Sequence, residues 1–386
     1  MTPTPLARAA GRGTATLLAL AAVVALAGCG SSDSTSDTGT ASASAPAPAA
    51  TATAPSGLDG VSSADQAYLQ DLYAKAKASG NLTVDLYDAY GGGPLKPVFD
   101  AAEKAFPGLK VNDVSIFGAP AFTRVDGEFA SGKHEGDAIL SGISDVSYYT
   151  SKGRFATFTP QTAEGLDPKL LDAGLWYTPF QTSYGLVYNT SQLKPEDLPK
   201  TFQDLGDPKW KGKLVTGAFV GAAPNDFTVT TLLYDKLVTE DDLRALAKNL
   251  QINAKSVIDA QGDVATGRYQ IALWGPQSYA PALKDKGAPV AIAPLENGQL
   301  LNGPGFGVLK GGDGAAAAEL LDAYLFTAPA QQLFAQATFN YPTLSDAVPE
   351  GFPARSTFTV EQLPAPVFSK QLAADKPLLA SIFGGS

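Results

Sequence analysis

A single histidine, His134, and a single cysteine, Cys29, narrow the chemistry open to this chain. A Ser-His-Asp triad would have to use His134, which lies in Ser131-Gly132-Lys133-His134-Glu135-Gly136-Asp137, and that run reads as a solvated turn leading into a strand. No G-x-S-x-G elbow, phosphate loop or dinucleotide fingerprint occurs, and Gly303-Pro304-Gly305-Phe306-Gly307 lacks the spacing of the last. With one thiol there is no intramolecular disulfide and no cysteine-ligated zinc or iron-sulfur centre. The expectation is a protein that is not an enzyme and has neither a cofactor nor a resident metal.

What the chain does carry is a set of loops rich in aromatic, hydroxyl and amide groups, each at the end of an expected strand. They supply Asp88, Ala89 and Tyr90; Ser141 and Gly142; Ser183 and Tyr184; Ala222 and Ala223; Trp274, Ser278 and Tyr279; Asn302; and Tyr341. In open α/β sheets ligands collect beyond the carboxyl ends of strands, where helix N-termini present free N–H groups. Such a lining offers directional bonds and stacking without reactive groups, which suits a small polar solute. Asp88, Asp226 and Glu296 are the carboxylates to watch, because two of them converging in a cleft would favour a cationic ligand.

The elements that must position these loops alternate. Leu69, Leu72, Tyr73 and Ala76 fall at helical spacing before Gly80-Asn81, Leu82 to Tyr87 reads as a strand, and Leu95 to Phe106 as a helix ended by Pro107-Gly108. A strand near Lys110 to Val114 completes a strand-helix-strand unit. Further strands are expected at 137–140, 184–188, 213–216, 270–274 and 290–293. Helices are expected at 122–130, 228–237, 240–250 (capped by Thr239), 315–326 and 330–337. Alternation of this kind means α/β layering. Phe180 to Asn189 and Gly303 to Lys310 suit strands that cross between two interlaced lobes.

Composition fixes the compartment. Lys and Arg number 28 against 38 Asp and Glu, a formal charge of −10, with no basic stripe to neutralise phosphates, so no nucleic-acid partner is expected. Arg8 and Arg12 precede an uncharged run from Thr14 to Ala27, which ends in Leu26-Ala27-Gly28-Cys29. A cationic start, a short apolar region and small residues before the only cysteine resemble the bacterial lipoprotein box, with lipid on the Cys29 thiol. An ordinary secretory cleavage site and a retained anchor are the rival readings. Cleavage before Cys29 removes both arginines and takes the net charge to −12. Gly30 to Ser56 contains only Gly, Ser, Thr, Asp, Ala and Pro, too little apolar surface to offset ordering, and is expected to be a disordered tether.

The chain resembles the extracellular solute-binding proteins of bacterial ABC importers, in the branch that includes ferric-iron, phosphonate, polyamine and thiamine binders. The resemblance runs from about Leu82 to Pro349. It rests on Leu82-Thr83-Val84 with the helix ending at Phe106-Pro107-Gly108, on Asp137 to Ser141, and on Ser151-Lys152-Gly153. It continues through Thr182 to Asn189, Leu198-Pro199-Lys200-Thr201, Asp207-Pro208-Lys209-Trp210-Lys211-Gly212-Lys213 and Asn340-Tyr341-Pro342. It implies a two-lobed α/β fold of the type II periplasmic-binding-protein kind, closing on its ligand by hinge motion. The partners implied are a small-molecule solute and an ABC permease in the membrane, with the protein monomeric and held outside the cell by lipid on Cys29.

The expected boundaries are 1–28 for the signal peptide and 29–61 for the lipidated cysteine and tether. Lobe 1 is expected at 62–182 with 304–349, and lobe 2 at 183–303 with 350–386. Ferric binders of the branch carry two adjacent tyrosines after the strand that ends here at Trp274, whereas Gln277-Ser278-Tyr279-Ala280 has one. Tyr148-Tyr149 is a pair, but on a helix where packing is the simpler role. An organic solute such as a phosphonate, carboxylate or amine is therefore expected ahead of ferric iron. An exported enzyme on the same scaffold and a surface protein binding other proteins are the readings from other classes.

Overall fold

Helix α1 (Ser63–Ser79) begins where the Ser62 hydroxyl accepts the Asp65 N–H and ends where Gly80 turns left-handed, and its Leu69, Leu72 and Ala76 face inward. The computed structural model describes residues 58–90, 93–219, 224–253, 256–358 and 360–384. Cys29, the signal segment, most of the tether, Ala222 and Ala223 lie outside the described residues.

From α1 the chain enters β1 (Thr83–Asp88), α2 (Lys96–Ala105), β2 (Lys110–Ser115), α3 (Gly118–Ser131), β3 (Ala138–Ser141), α4 (Ile143–Ser151), and the short strands β4 (Leu171–Asp172) and β5 (Trp176–Tyr177). β2 and β3 flank β1 in parallel, so their carboxyl ends share one edge. After β5 the chain leaves this sheet. Strand β6 (Phe180–Asn189), buried along its whole length, is the spine of a second sheet. That sheet gathers β7 (Leu214–Gly217), α5 (Pro224–Tyr234), α6 (Glu240–Ala247), β8 (Leu250–Asn253), α7 (Val257–Ala265), β9 (Ile271–Pro276), α8 (Ala280–Asp285), β10 (Val290–Ala293) and β11 (Leu300–Asn302).

The chain then returns to the first sheet as β12 (Gly305–Val308), antiparallel to β3, followed by α9 (Ala315–Leu325) and α10 (Ala328–Thr338). It ends through β13 (Tyr341–Pro342), β14 (Val360–Glu361) and α11 (Ala365–Phe383). The first sheet runs β2-β1-β3-β12-β5-β4 and the second β14-β11-β6-β9-β7-β8, with β10 and β13 also on β6. Two interlaced sheets with helices outside them are the two-lobed type II arrangement expected.

The changeovers fall at Thr178-Pro179 and Gly303-Pro304. Phe180 to Asn189, expected to cross between lobes, therefore lies in the second sheet, and only the first residues of Gly303 to Lys310 make the crossing. At Gly303 a Cβ would sit 2.1 Å from the Phe180 carbonyl oxygen and 2.6 Å from Thr178 Cγ2, so the two crossing segments are in contact and only glycine fits.

Each sheet has its own core. Val84, Leu86, Val98, Phe99, Phe106, Leu320 and Leu321 fill one, and Phe202, Trp210, Leu214, Leu243, Leu246 and Leu273 the other. Thr239 caps α6 through a reciprocal bond pair with Asp242. The Tyr148-Tyr149 pair packs, with Tyr148 stacked on Phe122 at 4.0 Å and Tyr149 buried. Sequence reading offers no counterpart for α11, whose pattern is interrupted by Pro366 and Pro377. Its Ala365 and Phe368 join a cluster with Tyr149 and Trp176, while its Leu379 and Phe383 join the second core, so the helix bridges both lobes. Among the described residues no helix is long and apolar enough to cross a membrane.

Candidate functional site

At the carboxyl end of β1 the backbone turns sharply. The Asp88 Oδ1 accepts the Tyr90 N–H at 2.6 Å, and the Ala89 N–H bonds to the Leu140 carbonyl at 3.0 Å. This turn directs Tyr90 toward β6. Its ring meets Phe180 edge-on at 5.3 Å, and its hydroxyl stands 3.4 Å from that of Tyr184. Tyr184 is fixed in the middle of β6, opposite Leu300 of β11 and Pro276 of β9, with Phe227 of α5 edge-on to its ring at 5.0 Å. Tyr279 closes the group from the 3-10 turn Gln277–Tyr279 that follows β9.

Burial and neighbouring groups act on all four. Burial, then Asp113, hold the Asp88 carboxyl well above the usual carboxylate range, although the bond from the Tyr90 N–H pulls it down. Burial, Tyr184, Asp88 and Tyr279 push the Tyr90 phenol well up, and burial takes Tyr184 up to about 12. Burial and the Asp88 charge raise Tyr279. Asp88 also shares a hydrogen bond with the Asp113 carboxyl, which requires a proton on one of the two. Among the described residues no lysine, arginine or histidine is a leading influence on any of the four. Three phenols and the Asp88 carboxyl, with Asp113 beside it, thus gather with no cation among the described residues there, an arrangement of oxygens that suits a positively charged ligand.

The remaining residues expected at the site stand elsewhere or one layer back. Trp274, with its φ at +57°, is fully buried in the second core, donates its indole N–H to the Gly298 carbonyl and stacks on Phe202, so it packs. The Ser141 hydroxyl donates to Asp145 at 2.7 Å and Gly142 caps α4, so both serve the start of that helix. Tyr341 donates to the Pro353 carbonyl at 2.7 Å and pairs through β13 with Gln181, where the lobes meet.

Ser183 lies behind Tyr279, its hydroxyl on Gln277 Oε1 at 2.8 Å. Ser278 sits half-exposed in the same turn as Tyr279. Asn302 lines a small cavity with Ile143, Phe227, Leu300, Gln362 and Phe368. Asp226 begins α5, and the Glu296 N–H bonds to the Lys200 carbonyl. His134 lies edge-on to Phe129 on the other side of lobe 1. Gln277 and Gln299 were not among the expected residues.

The model of the bacterial extracellular solute-binding protein family matches residues 144–361. Iron uptake protein A1 of Synechocystis is 24% identical over 261 residues, which is 62% of this chain and 69% of that protein. Among solved structures, iron-bound HitA from Pseudomonas aeruginosa superposes with a TM-score of 0.65 at 19% identity, over 77% of this chain and 99% of that one. AfuA from Actinobacillus pleuropneumoniae with fructose-6-phosphate bound superposes with a TM-score of 0.62 at 17% identity, over 79% and 99%. At these identities the two structures speak for the fold alone. With the family model covering more than half of the chain, the protein belongs to the bacterial extracellular solute-binding proteins.

Proposed function

We propose that this protein captures ferric iron for an ABC importer, binding it between the lobes through the oxygens of Tyr90, Tyr184, Tyr279 and Asp88. The observation that carries the reading is the convergence of three phenols and a buried carboxyl, with no cation among the described residues there. A hard trivalent ion favours anionic oxygen and lowers the pKa of a phenol it binds, so the proton on each ligand gives way to metal. Sequence reasoning ranked iron below an organic solute because only one tyrosine follows β9. Tyr90 and Tyr184 supply the phenols that an adjacent pair would have given. The iron in the name of Synechocystis iron uptake protein A1 supports the same choice.

Tyr90 comes from lobe 1, and Tyr184 and Tyr279 come from lobe 2. An ion bridging them gains its full ligand set only when the lobes are closed, which makes closure follow binding. A sugar phosphate, the ligand in the AfuA structure, would place negative charge against the buried Asp88 carboxyl and its neighbour Asp113. Export and lipid attachment at Cys29 complete the reading, with the permease as membrane partner.

The test is to add ferric citrate to purified protein and record its visible spectrum beside a thermal-shift panel of phosphonates, amines, carboxylates and sugar phosphates. A phenolate-to-iron charge-transfer band with a rise in Tm supports the reading. A colourless protein stabilised by one of the organic solutes overturns it.

A further inference from the structure

Tyr279 sits at the end of a three-residue turn whose first residue, Gln277, is completely buried. The Gln277 side chain makes every hydrogen bond that a primary amide can make. Its Nε2 donates to the Leu186 carbonyl at 2.8 Å and to the Ala293 carbonyl at 3.2 Å. Its Oε1 accepts from the Ser183 hydroxyl at 2.8 Å and from Gln299 Nε2 at 2.9 Å. Gln299 in turn accepts the Leu295 N–H at 3.2 Å. Rotating the amide by half a turn would set an oxygen against two carbonyls, so the network admits one orientation.

The backbone is shaped to receive this side chain. The β6–β9 pairing breaks register between Gly185 and Leu186, and that irregularity leaves the Leu186 carbonyl for Gln277. At Gly185 a Cβ would lie 3.0 Å from Gln277 Nε2 and 3.0 Å from Gln299 Cγ, so the glycine makes room for both amides. The amide thereby ties the turn to the strand that carries Tyr184, with bonds one residue before Tyr184 and two after it. In a 3-10 turn of three residues per cycle, fixing the first residue fixes the direction of the third.

We infer that Gln277 is a positioning residue, which sets the Tyr279 phenol at its distance from Tyr184 by clamping the turn after β9 onto the irregular stretch of β6. The inference rests on the ferric reading for the ligand but on the hydrogen-bond geometry for the clamp. Buried amide networks of this kind are rigid when complete and costly when broken.

The experiment compares wild type, Gln277→Leu, Ser183→Ala and, as a control for lost stability, Asn249→Leu. Asn249 is also a buried amide, bonded to the Leu205 and Asp207 carbonyls and outside the binding site. Three readouts are taken: Fe(III) affinity, the charge-transfer band, and the titration of Tyr279 by NMR of ring-labelled tyrosine, assigned with Tyr279→Phe. Gln277→Leu is expected to weaken Fe(III) binding by about 10- to 100-fold, as loss of a ligand's supporting contacts does. It should also shift the band and move the Tyr279 titration toward that of an ordinary phenol.

Asn249→Leu, at a comparable loss of Tm, should change none of the three. Ser183→Ala, which removes one of the four bonds, should give a smaller effect in the same direction, and it decides the matter if Gln277→Leu does not fold. A folded Gln277→Leu with wild-type band and titration overturns the inference, as does an Asn249→Leu that reproduces its losses. If wild type gives no band, the ferric reading fails, and the Tyr279 titration still tests the clamp.

Discussion

The hydroxyls of Tyr90 and Tyr184 face each other at 3.4 Å across the gap between the two lobes, one from the loop after β1 and the other from the centre of β6. Both phenols are pushed up by burial, Tyr184 to about 12, so near neutral pH both are protonated in the empty protein. A metal that takes them as phenolates must release their protons. Fe(III) affinity should therefore fall with acid, by about tenfold per pH unit for each phenolate formed. Titrating the protein against a ferric chelate of known strength at about pH 6, 7 and 8 measures that slope. A flat profile would mean that the phenols do not ligate.

Asp88 is expected to show opposite effects on stability and function. Its carboxyl is held above the usual range by burial and by Asp113, so the stability it confers is complete below the unfolded-state pKa and is lost as pH rises toward the folded one. Asp88→Asn should therefore raise the Tm of the iron-free protein at neutral pH and leave it nearly unchanged in acid. The same substitution removes an anionic ligand, so the Tm gain on adding Fe(III) should shrink. A variant that is destabilised when empty, or that keeps the full iron-induced shift, contradicts this role.

Asp322 on α9 offers the same physics without the ligand. It is almost wholly buried, its Oδ1 has no hydrogen-bond partner, and burial with Glu319 nearby raises its carboxyl well above the ordinary range. The sign is again loss of stability with rising pH. Asp322→Asn should gain about 1–3 kcal/mol over wild type at about pH 8, the cost of an uncompensated buried polar group, and lose that gain in acid. Urea unfolding at the two pH values decides it, and a gain independent of pH would mean that the benefit is packing rather than ionisation.

Much of the scaffold was legible because local patterns and tertiary burial agree there. Leu69, Leu72 and Ala76 at helical spacing do face the core, Thr239 does cap α6, and Gly80 does stop α1. Where they disagree, sequence reading stumbled. Pro377 inside α11 breaks the helical pattern, yet packing of Phe368 and Leu379 against two different cores holds the helix. Trp274 resembled a ligand residue because it ends an apolar strand, but its left-handed backbone turns the indole into the second core. The meeting of Tyr90 with Tyr184 joins residues 94 positions apart in two lobes, and nothing local in the chain announces it.

Gly303 tests the crossing itself. Its N–H bonds to Gln362 Oε1 at 2.8 Å, and the space for a side chain is taken by the Phe180 carbonyl and Thr178. Its neighbours belong to the other crossing segment, so a methyl group there has to push the two connections apart rather than displace a flexible side chain. Gly303→Ala should destabilise by about 1–3 kcal/mol, as overpacking does. Because both connections set how the lobes close, it should also weaken Fe(III) binding, although it touches none of the ligating oxygens. Gly132→Ala makes the comparison: Gly132 is a left-handed helix end with open space around its Cβ, so its substitution should cost stability but leave iron affinity unchanged. Equal losses of affinity in the two variants would remove the crossing from any part in closure.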